Sequence, residues 1–325
     1  MKAIIYFKYG SPDVLQLKDV EKPSPKSNQV LVKVIAAALN AADWHLMRAK
    51  PFPARFYSGM LRPKNTILGA DIAGVVEAVG GDVKEFKAGD AVFGDLFESG
   101  LGGFAEYDCA LEHEIALKPS GITFEEAASV PVAAGTALRA LRDAGHIKAG
   151  QKVLINGASG GVGTFAVQIA KNFGAEVTGV CSPGNMDMVR SLGADHVIDY
   201  TKEDFTKNGI GYDLILAANG YHPIADYKRA LSDGGIYVMS GGSGAQMAQA
   251  LLMGPWISMT GKKKMVGFSS KPDKKDLIHL KELLEAGKIR PIIDKVYPLS
   301  ETADAMRYLE QGHARGKVII SVNKG

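Results

Sequence analysis

Three glycines pose the first chemical question. Gly157, Gly160 and Gly163 recur at three-residue spacing in the run KVLINGASGGVGTFAVQIAK, residues 152–171. An apolar, strand-like stretch ends at Asn156, the glycines follow, and an amphipathic helical pattern takes over. Glycine is needed in such a junction because the turn is tight, a pyrophosphate must lie against bare backbone, and helix and strand pack closely. The start of the helix offers N–H groups without intrahelical partners, and the positive end of its dipole, to an anion. The chemistry predicted is dinucleotide binding.

The end of the next strand indicates which dinucleotide. A site that prefers NAD usually places Asp or Glu about 20 residues beyond the glycines, against the adenine ribose hydroxyls. Here Ser182 stands 19 residues past Gly163, between Cys181 and Pro183, with no Arg or Lys adjacent. A carboxylate would repel a 2′-phosphate, whereas a serine hydroxyl can donate to one. The expectation is NADP.

These residues need a scaffold, and the pattern around them supplies one. Strands are expected over 152–156, 176–181, 196–199, 212–218, 235–240 and 265–268, with helices near 161–173, 186–192, 224–231 and 246–253. Six strands joined by such crossovers predict an α/β Rossmann domain, a doubly wound parallel sheet. The first 120 residues are β-rich instead, with short β-branched runs at 30–34, 72–79, 91–93 and 115–117 between turn residues. In the tail, Leu277, Leu280, Leu283 and Leu284 recur at helical spacing before Gly287. A strand over 292–296, a helix opened by Ser300 as N-cap and a last strand over 317–322 are expected to follow. The six-stranded sheet is complete without this tail, which is therefore expected to return to the β-rich domain. The predicted division is 1–122, 123–268 and 269–325.

Composition narrows the function. Of 325 residues, 46% are apolar and 22% charged, the balance of a globular protein. A net charge of +3 gives no reason to expect nucleic acid or a membrane surface as partner. The basic run 262–264 reads as a solvated face. No apolar stretch reaches the roughly 18 residues of a membrane span, and the opening residues read as a strand rather than a targeting segment. Cys109 and Cys181 alone cannot build a disulfide framework or a four-cysteine zinc lobe. A soluble, cytoplasmic protein of a reducing compartment is expected.

Several motifs together carry a family resemblance. They are Asn40-Ala41-Ala42-Asp43, the stretch LGADIAGVV from Leu68 to Val76, the phosphate loop, LGADHVIDY from Leu192 to Tyr200, and Gly312-His313-Ala314-Arg315-Gly316-Lys317. Along its whole length the chain resembles the zinc-free quinone oxidoreductase branch of the medium-chain dehydrogenase/reductase superfamily. It is most similar to chloroplast-envelope quinone or alkenal reductases and related mitochondrial NADPH oxidoreductases. The resemblance implies a GroES-like catalytic domain formed by both chain ends around the Rossmann domain, with the cofactor in the cleft. It implies hydride transfer to quinones or to C=C bonds conjugated to a carbonyl, and a homodimer paired through the edge strand 265–268. By analogy Ser159, Gly160, Gly161 and Val162 would contact the pyrophosphate and Ser182 the 2′-phosphate. Tyr200 would meet the adenine side, Asn219 and Ser240 the ribose–nicotinamide side, and Thr136 the nicotinamide.

No metal is expected. Zinc-dependent relatives carry a cysteine near the position of Asn40 and Gly-His-Glu where this chain has Gly69-Ala70-Asp71. A catalytic zinc needs three protein ligands; neither cysteine falls in the family's positions, and His45 and His113 are isolated. Alcohol oxidation uses metal to lower the hydroxyl pKa, so its loss disfavours that chemistry. For hydride transfer the protein mainly aligns two rings and holds a developing oxyanion. Asn40 either donates to the substrate oxygen or caps the turn, with Asp43 as its structural companion. Tyr57, in the aromatic and basic loop 51–65, is that loop's phenolic donor or part of its packing. Enoyl-thioester reductases of the superfamily place a tyrosine about eleven residues beyond the Asn; here Pro51 and Phe52 stand there. Thioester reduction and a non-catalytic NADPH-binding role are the alternatives.

Overall fold

The computed structural model describes residues 1–52, 54–241, 244–268 and 272–323. β1 (Lys2–Ile5) and β2 (Gln16–Asp19) form an antiparallel ribbon. The valine- and alanine-rich run that follows becomes β3 (Gln29–Leu39), whose small and β-branched side chains suit a strand covered on both faces. Asn40 ends it, α1 (Ala41–Arg48) begins at once, and a short α2 (Ala54–Ser58) follows. β4 (Asp71–Val79), β5 (Ala91–Asp95), β6 (Tyr107–Leu111) and β7 (Ile115–Leu117) extend the sheet antiparallel, with β4 and β6 both pairing with β3. α3 (Phe124–Ala128) lies against β3 and β4. Its N-cap Thr123 accepts from Glu126 N (3.1 Å) while the Glu126 carboxylate returns to Thr123 N (2.8 Å), satisfying two end donors reciprocally.

α4 (Pro131–Arg139) leads into the second unit. There β8 (Lys152–Asn156), α5 (Gly161–Asn172), β9 (Glu176–Cys181), α6 (Met186–Ser191) and β10 (His196–Asp199) alternate. β11 (Tyr212–Ala217), α7 (Ile224–Ala230), β12 (Leu231–Met239), α8 (Gly244–Thr260) and β13 (Lys264–Gly267) follow. The six strands are parallel in the order β10-β9-β8-β11-β12-β13. Strand order reverses between β8 and β11, the switch point at which doubly wound sheets bind ligands.

The tail returns to the first sheet as expected. After α9 (Lys274–Glu285) and β14 (Ile293–Pro298), α10 (Thr302–Glu310) leads to β15 (Lys317–Ser321), which pairs antiparallel with β3 and parallel with β14. Val30, Val32, Val34, Ile72, Val92, Phe104, Val318 and Ile320 share the core of this unit. Each such side chain contributes about 1.5–3 kcal/mol on burial. A separate core of Leu154, Val180, Ile215, Tyr227 and Tyr237 holds the second unit.

The division of the chain differs from the sequence reading at each crossing. The units are Met1–Ala133, Pro272–Gly287 and Pro291–Gly325 on one side, and Ala134–Lys271 and Lys288–Arg290 on the other. The first crossing falls at 133/134 rather than 122/123 because α3, with Ala127 and Ala128 fully buried, packs on β3 and β4. The short piece 288–290 joins the second unit through Gln168, whose Nε2 donates to Arg290 O (3.0 Å) and whose Oε1 accepts from Arg290 N (2.8 Å). Ser300 does not cap a helix. It sits in the 3-10 turn Leu299–Glu301, and the helix starts at Thr302, whose Oγ1 donates to Leu299 O (2.7 Å).

Candidate cofactor and active site

The parallel sheet brings the expected cofactor residues to one edge. Ser159 follows β8, Ser182 follows β9, Tyr200 follows β10, Asn219 lies two residues beyond β11, and Ser240 follows β12. Five adjacent strands thus present their carboxyl ends together, where open α/β sheets take ligands. Backbone bonds fix the row: Asn219 N donates to Asn156 O (3.1 Å), Ser240 N to Ala217 O (3.1 Å), and Tyr200 N to Cys181 O (3.3 Å). The Tyr200 side chain is 57% exposed. Thr136 is half-buried on α4.

Within the loop the three glycines do different work. Gly157 has φ +84°, a left-handed conformation, and a Cβ there would meet the backbone of Asn219 at 2.9 Å. At Gly163 a Cβ would strike Gly157 O at 2.0 Å, so this glycine permits the close approach of α5 to the turn. Gly160, the N-cap of α5, has φ −84°, and a Cβ would meet only Gly157 O at 3.6 Å. Neither backbone conformation nor protein neighbours require glycine at 160. The cleared space lies beside the first-turn N–H groups of Gly161 and Val162, where an anion would be held. The residues present fit the pyrophosphate of a dinucleotide.

One residue in this row escaped the sequence reading. Asn185, just before α6 and 7% exposed, donates from Nδ2 to Ser159 Oγ (3.1 Å) and to Ser182 Oγ (3.0 Å). The carboxylate ending the neighbouring strand, Asp199, is tied back by Thr201 N (2.9 Å) and Thr201 Oγ1 (2.7 Å).

In the first unit Asn40 and Asp43 belong to a buried polar network. Asn40 N donates to Asp43 Oδ2 (2.8 Å) and Gly69 N to Asp43 Oδ1 (3.1 Å). Asp43 therefore reaches back from the first turn of α1 to the helix entry, one half of a capping box. The Asn40 side chain turns instead to the sheet, Nδ2 donating to Asp71 Oδ2 (2.9 Å) and, at 3.4 Å, to Ala38 O. Its Oδ1 accepts from Lys317 Nζ (2.6 Å), which also pairs with Asp71 Oδ2 at 3.1 Å. Val132 N donates to Asp71 Oδ1 (2.7 Å). Burial pushes Asp43 up to about 7 against the pull of its two N–H donors. Burial also raises Asp71, with the Lys317 ammonium opposing. Both amide hydrogens of Asn40 are engaged inside the protein. The Tyr57 side chain lies outside the described residues.

This network does not fit a zinc ion. Ala70 offers no donor where zinc-dependent relatives have histidine, and the Lys317 ammonium already satisfies Asn40 and Asp71. Among the described residues no three His, Cys, Asp or Glu side chains form a group able to hold a metal, and no helix is long and apolar enough to cross a membrane. Lys317 and Asp71 were also unassigned from sequence. The visible trace was a lysine leading an otherwise apolar final strand, which must find a partner or snorkel.

Known proteins resemble the chain along nearly its whole length. Residues 26–120 match the family described as alcohol dehydrogenase GroES-like domain, and residues 192–320 the one described as zinc-binding dehydrogenase. A tomato (Solanum lycopersicum) 2-methylene-furan-3-one reductase is 38% identical over 98% of this chain and 79% of its own length. The NADPH-dependent alkenal/one oxidoreductase of Arabidopsis thaliana chloroplasts is 36% identical over 98% of this chain and 79% of its own. The structure of the quinone oxidoreductase from Coxiella burnetii superposes with TM-score 0.87 at 33% identity, covering 99% of both chains. A Rossmann sheet with a glycine-rich switch point, followed in the chain by a return to a GroES-like sheet, defines a medium-chain dehydrogenase/reductase. The chain belongs to the quinone oxidoreductase branch of that superfamily.

Proposed function

We propose that this protein is a zinc-independent, NADPH-dependent reductase of quinones or of C=C bonds conjugated to a carbonyl. The observation that carries the reading is the row of Ser159, Ser182, Tyr200, Asn219 and Ser240 at adjacent strand ends, with no carboxylate at 182. Relatives named for quinone and alkenal/one reduction support the substrate class. NADPH, when bound, supplies the hydride. The first turn of α5, with Gly160, Gly161 and Val162, holds the pyrophosphate, and Ser182 meets the 2′-phosphate. Tyr200 supports the adenine end, Asn219 and Ser240 the ribose, and Thr136 the nicotinamide. Asn40 and Asp43 are assigned to holding the turn rather than to moving a proton, since their polar atoms face inward. Tyr57 is proposed as the phenol of the substrate loop.

The assembly proposed is a homodimer through β13, the edge strand of its sheet. The adjoining α8 exposes Leu252 (80%), Trp256 (65%) and Met259 (85%), an apolar surface suited to a second copy. Sedimentation as a monomer at micromolar concentration overturns this. The partners proposed are a small quinone or enone and a second copy, and the location proposed is a reducing compartment such as the cytoplasm, in keeping with two free cysteines.

The deciding experiment is turnover by chelator-treated protein with NADPH or NADH and a panel of small enones, quinones, a crotonyl thioester and simple alcohols. Rapid NADPH oxidation with an enone or quinone is expected. A preference for the thioester, or dependence on added zinc, overturns the reading.

A further inference from the structure

The carboxamide of Asn185 is oriented so as to dictate what its neighbours offer a ligand. Its Nδ2 carries two hydrogens and donates one to Ser159 Oγ and one to Ser182 Oγ. A hydroxyl that accepts at oxygen keeps its own hydrogen for another acceptor. Neither hydroxyl donates to a described residue, and both serines are half-buried at the ends of neighbouring strands. The remaining Asn185 atom is equally informative. Oδ1 is buried and has no hydrogen-bond partner among the described residues, a state that costs about 1–3 kcal/mol unless a donor arrives.

Three side chains thus form one recognition unit, with two hydroxyl donors aimed away from the amide and one acceptor awaiting a donor. We infer that Asn185 is the positioning residue that selects the phosphorylated cofactor. Ser159, expected by analogy at the pyrophosphate, is tied to Ser182 through this one amide. Asn185 acts by holding both serines so that their hydrogens face the 2′-phosphate, while its own Oδ1 takes a hydroxyl from the same ribose. This inference rests on the NADPH reading and names the residue that enforces it. A 2′-phosphate has only acceptors to offer at neutral pH or nearly so, so it needs donors; the unit supplies two without a cation. A ribose without the phosphate can rotate its own hydroxyls to suit either polarity and gains little from the arrangement.

The prediction follows from reversing the polarity. In Asn185→Asp a carboxylate of nearly the same shape accepts from both serines, turns their hydrogens inward and adds a negative charge. Asn185→Leu removes the donors without adding charge. Titration calorimetry on the full chain would use adenosine 2′,5′-bisphosphate and 5′-AMP as probes, ligands that need no turnover. Wild type is expected to bind the bisphosphate more tightly. Asn185→Asp should weaken that binding by about thirtyfold or more and Asn185→Leu by about tenfold, the scale of one or two hydrogen bonds to a charged group. Binding of 5′-AMP should change less than about threefold on the same scale. Ser182→Ala combined with Asn185→Leu should lose little beyond Asn185→Leu alone, because the two act as one unit.

Equal loss of both probes in Asn185→Asp and Asn185→Leu would reduce Asn185 to a fold-holding residue and overturn the inference. Unchanged binding of both probes by Asn185→Leu would overturn it as well and leave Ser182 to act alone. Wild-type protein that fails to distinguish the two probes would overturn the NADPH reading itself, a result visible before any variant is made.

Discussion

Removing the Lys317 ammonium tests whether the buried network of the first unit is held by charge. Lys317 and Asp71 side chains are 3% and 0% exposed, and their charged atoms lie 3.1 Å apart. At an effective dielectric of about 20, that separation corresponds to an attraction of about 5 kcal/mol. Desolvation of both ions offsets much of this, so the pair itself adds little net stability. Breaking it is another matter. Lys317→Met leaves the Asp71 carboxylate with only the Asn40 and Val132 N–H donors, and Asn40 Oδ1 with none. An uncompensated buried charge costs about 3–5 kcal/mol, a fall in Tm of about 10 °C for a unit of this size. The pH dependence has a definite sign. Burial raises the folded pKa of Asp71 above its unfolded value, so stability falls as pH rises through the window between the two. Without Lys317 opposing the shift, the window extends upward, and the deficit of Lys317→Met should grow from pH 5.5 to pH 8.5, arbitrary points about three units apart. Lys317→Met/Asp71→Asn carries no buried charge at either position and should regain about 2 kcal/mol of the loss at the higher pH. Urea and thermal unfolding of wild type, both single variants and the double variant would measure this. A double variant no more stable than Lys317→Met, or a deficit that shrinks with rising pH, refutes the reasoning.

Three other perturbations separate binding from folding. Gly160→Ala should unfold within about 2 °C of wild type yet bind NADPH at least about tenfold more weakly, because its Cβ meets only Gly157 O at 3.6 Å and intrudes on the ligand's space. Gly163→Ala should lose several degrees of Tm, since its Cβ falls 2.0 Å from Gly157 O; equal behaviour of the two variants in calorimetry and melting contradicts the division of roles. Asp108 has a buried Oδ2 without a hydrogen-bond partner among the described residues and is pushed up to about 7 by burial, so its ionisation destabilises the fold progressively from about pH 4 to pH 7. Asp108→Asn should therefore match wild type near pH 5 and exceed it by about 2 kcal/mol near pH 8; a difference independent of pH removes the explanation. Gln168→Leu leaves the Arg290 N–H and C=O without their buried partner and should lower stability by about 1–3 kcal/mol, measured by urea unfolding.

The second unit was legible in the sequence because its signals are local. β8, β9 and β10 occupy the residues expected of them, since an apolar run closed by Gly157, by Ser182-Pro183 or by Asp199 carries its own boundary. Of the proposed cofactor row, only Ser182 was read from its place at a strand end; Ser159, Tyr200, Asn219 and Ser240 came from the family resemblance. α8 extends to Thr260 rather than 253, with Gly261 directly after its last residue. What the sequence concealed is held by distance. Lys317 and Asn40 are 277 residues apart, and no local pattern could join them. Asn185 sits in an ordinary Pro-Gly-Asn turn, and its role depends on Ser159, 26 residues earlier and one strand away.

The same network bears on whether a divalent ion could sit beside Asn40. Asp43, Asp71 and Lys317 together would carry one net negative charge if both acids ionised, and the interior resists that. Burial raises both acids, Asp43 to about 7 with two backbone N–H donors and no cation in contact, and Asp71 with the Lys317 ammonium opposing. A divalent ion at Asn40 would have to displace the Lys317 ammonium from 2.6 Å and would find methyl rather than imidazole at Ala70. The Lys317 ammonium is fixed instead between two acceptors, Asn40 Oδ1 and Asp71 Oδ2. An ammonium held this way cannot coordinate an alcohol or lower its pKa, so oxidation of alcohols loses its activator. Reduction of an already electrophilic carbon needs no such help, because the hydride donor and the alignment of two rings suffice. The buried lysine is therefore in keeping with the proposed reaction, reduction of an acceptor that is reactive on its own.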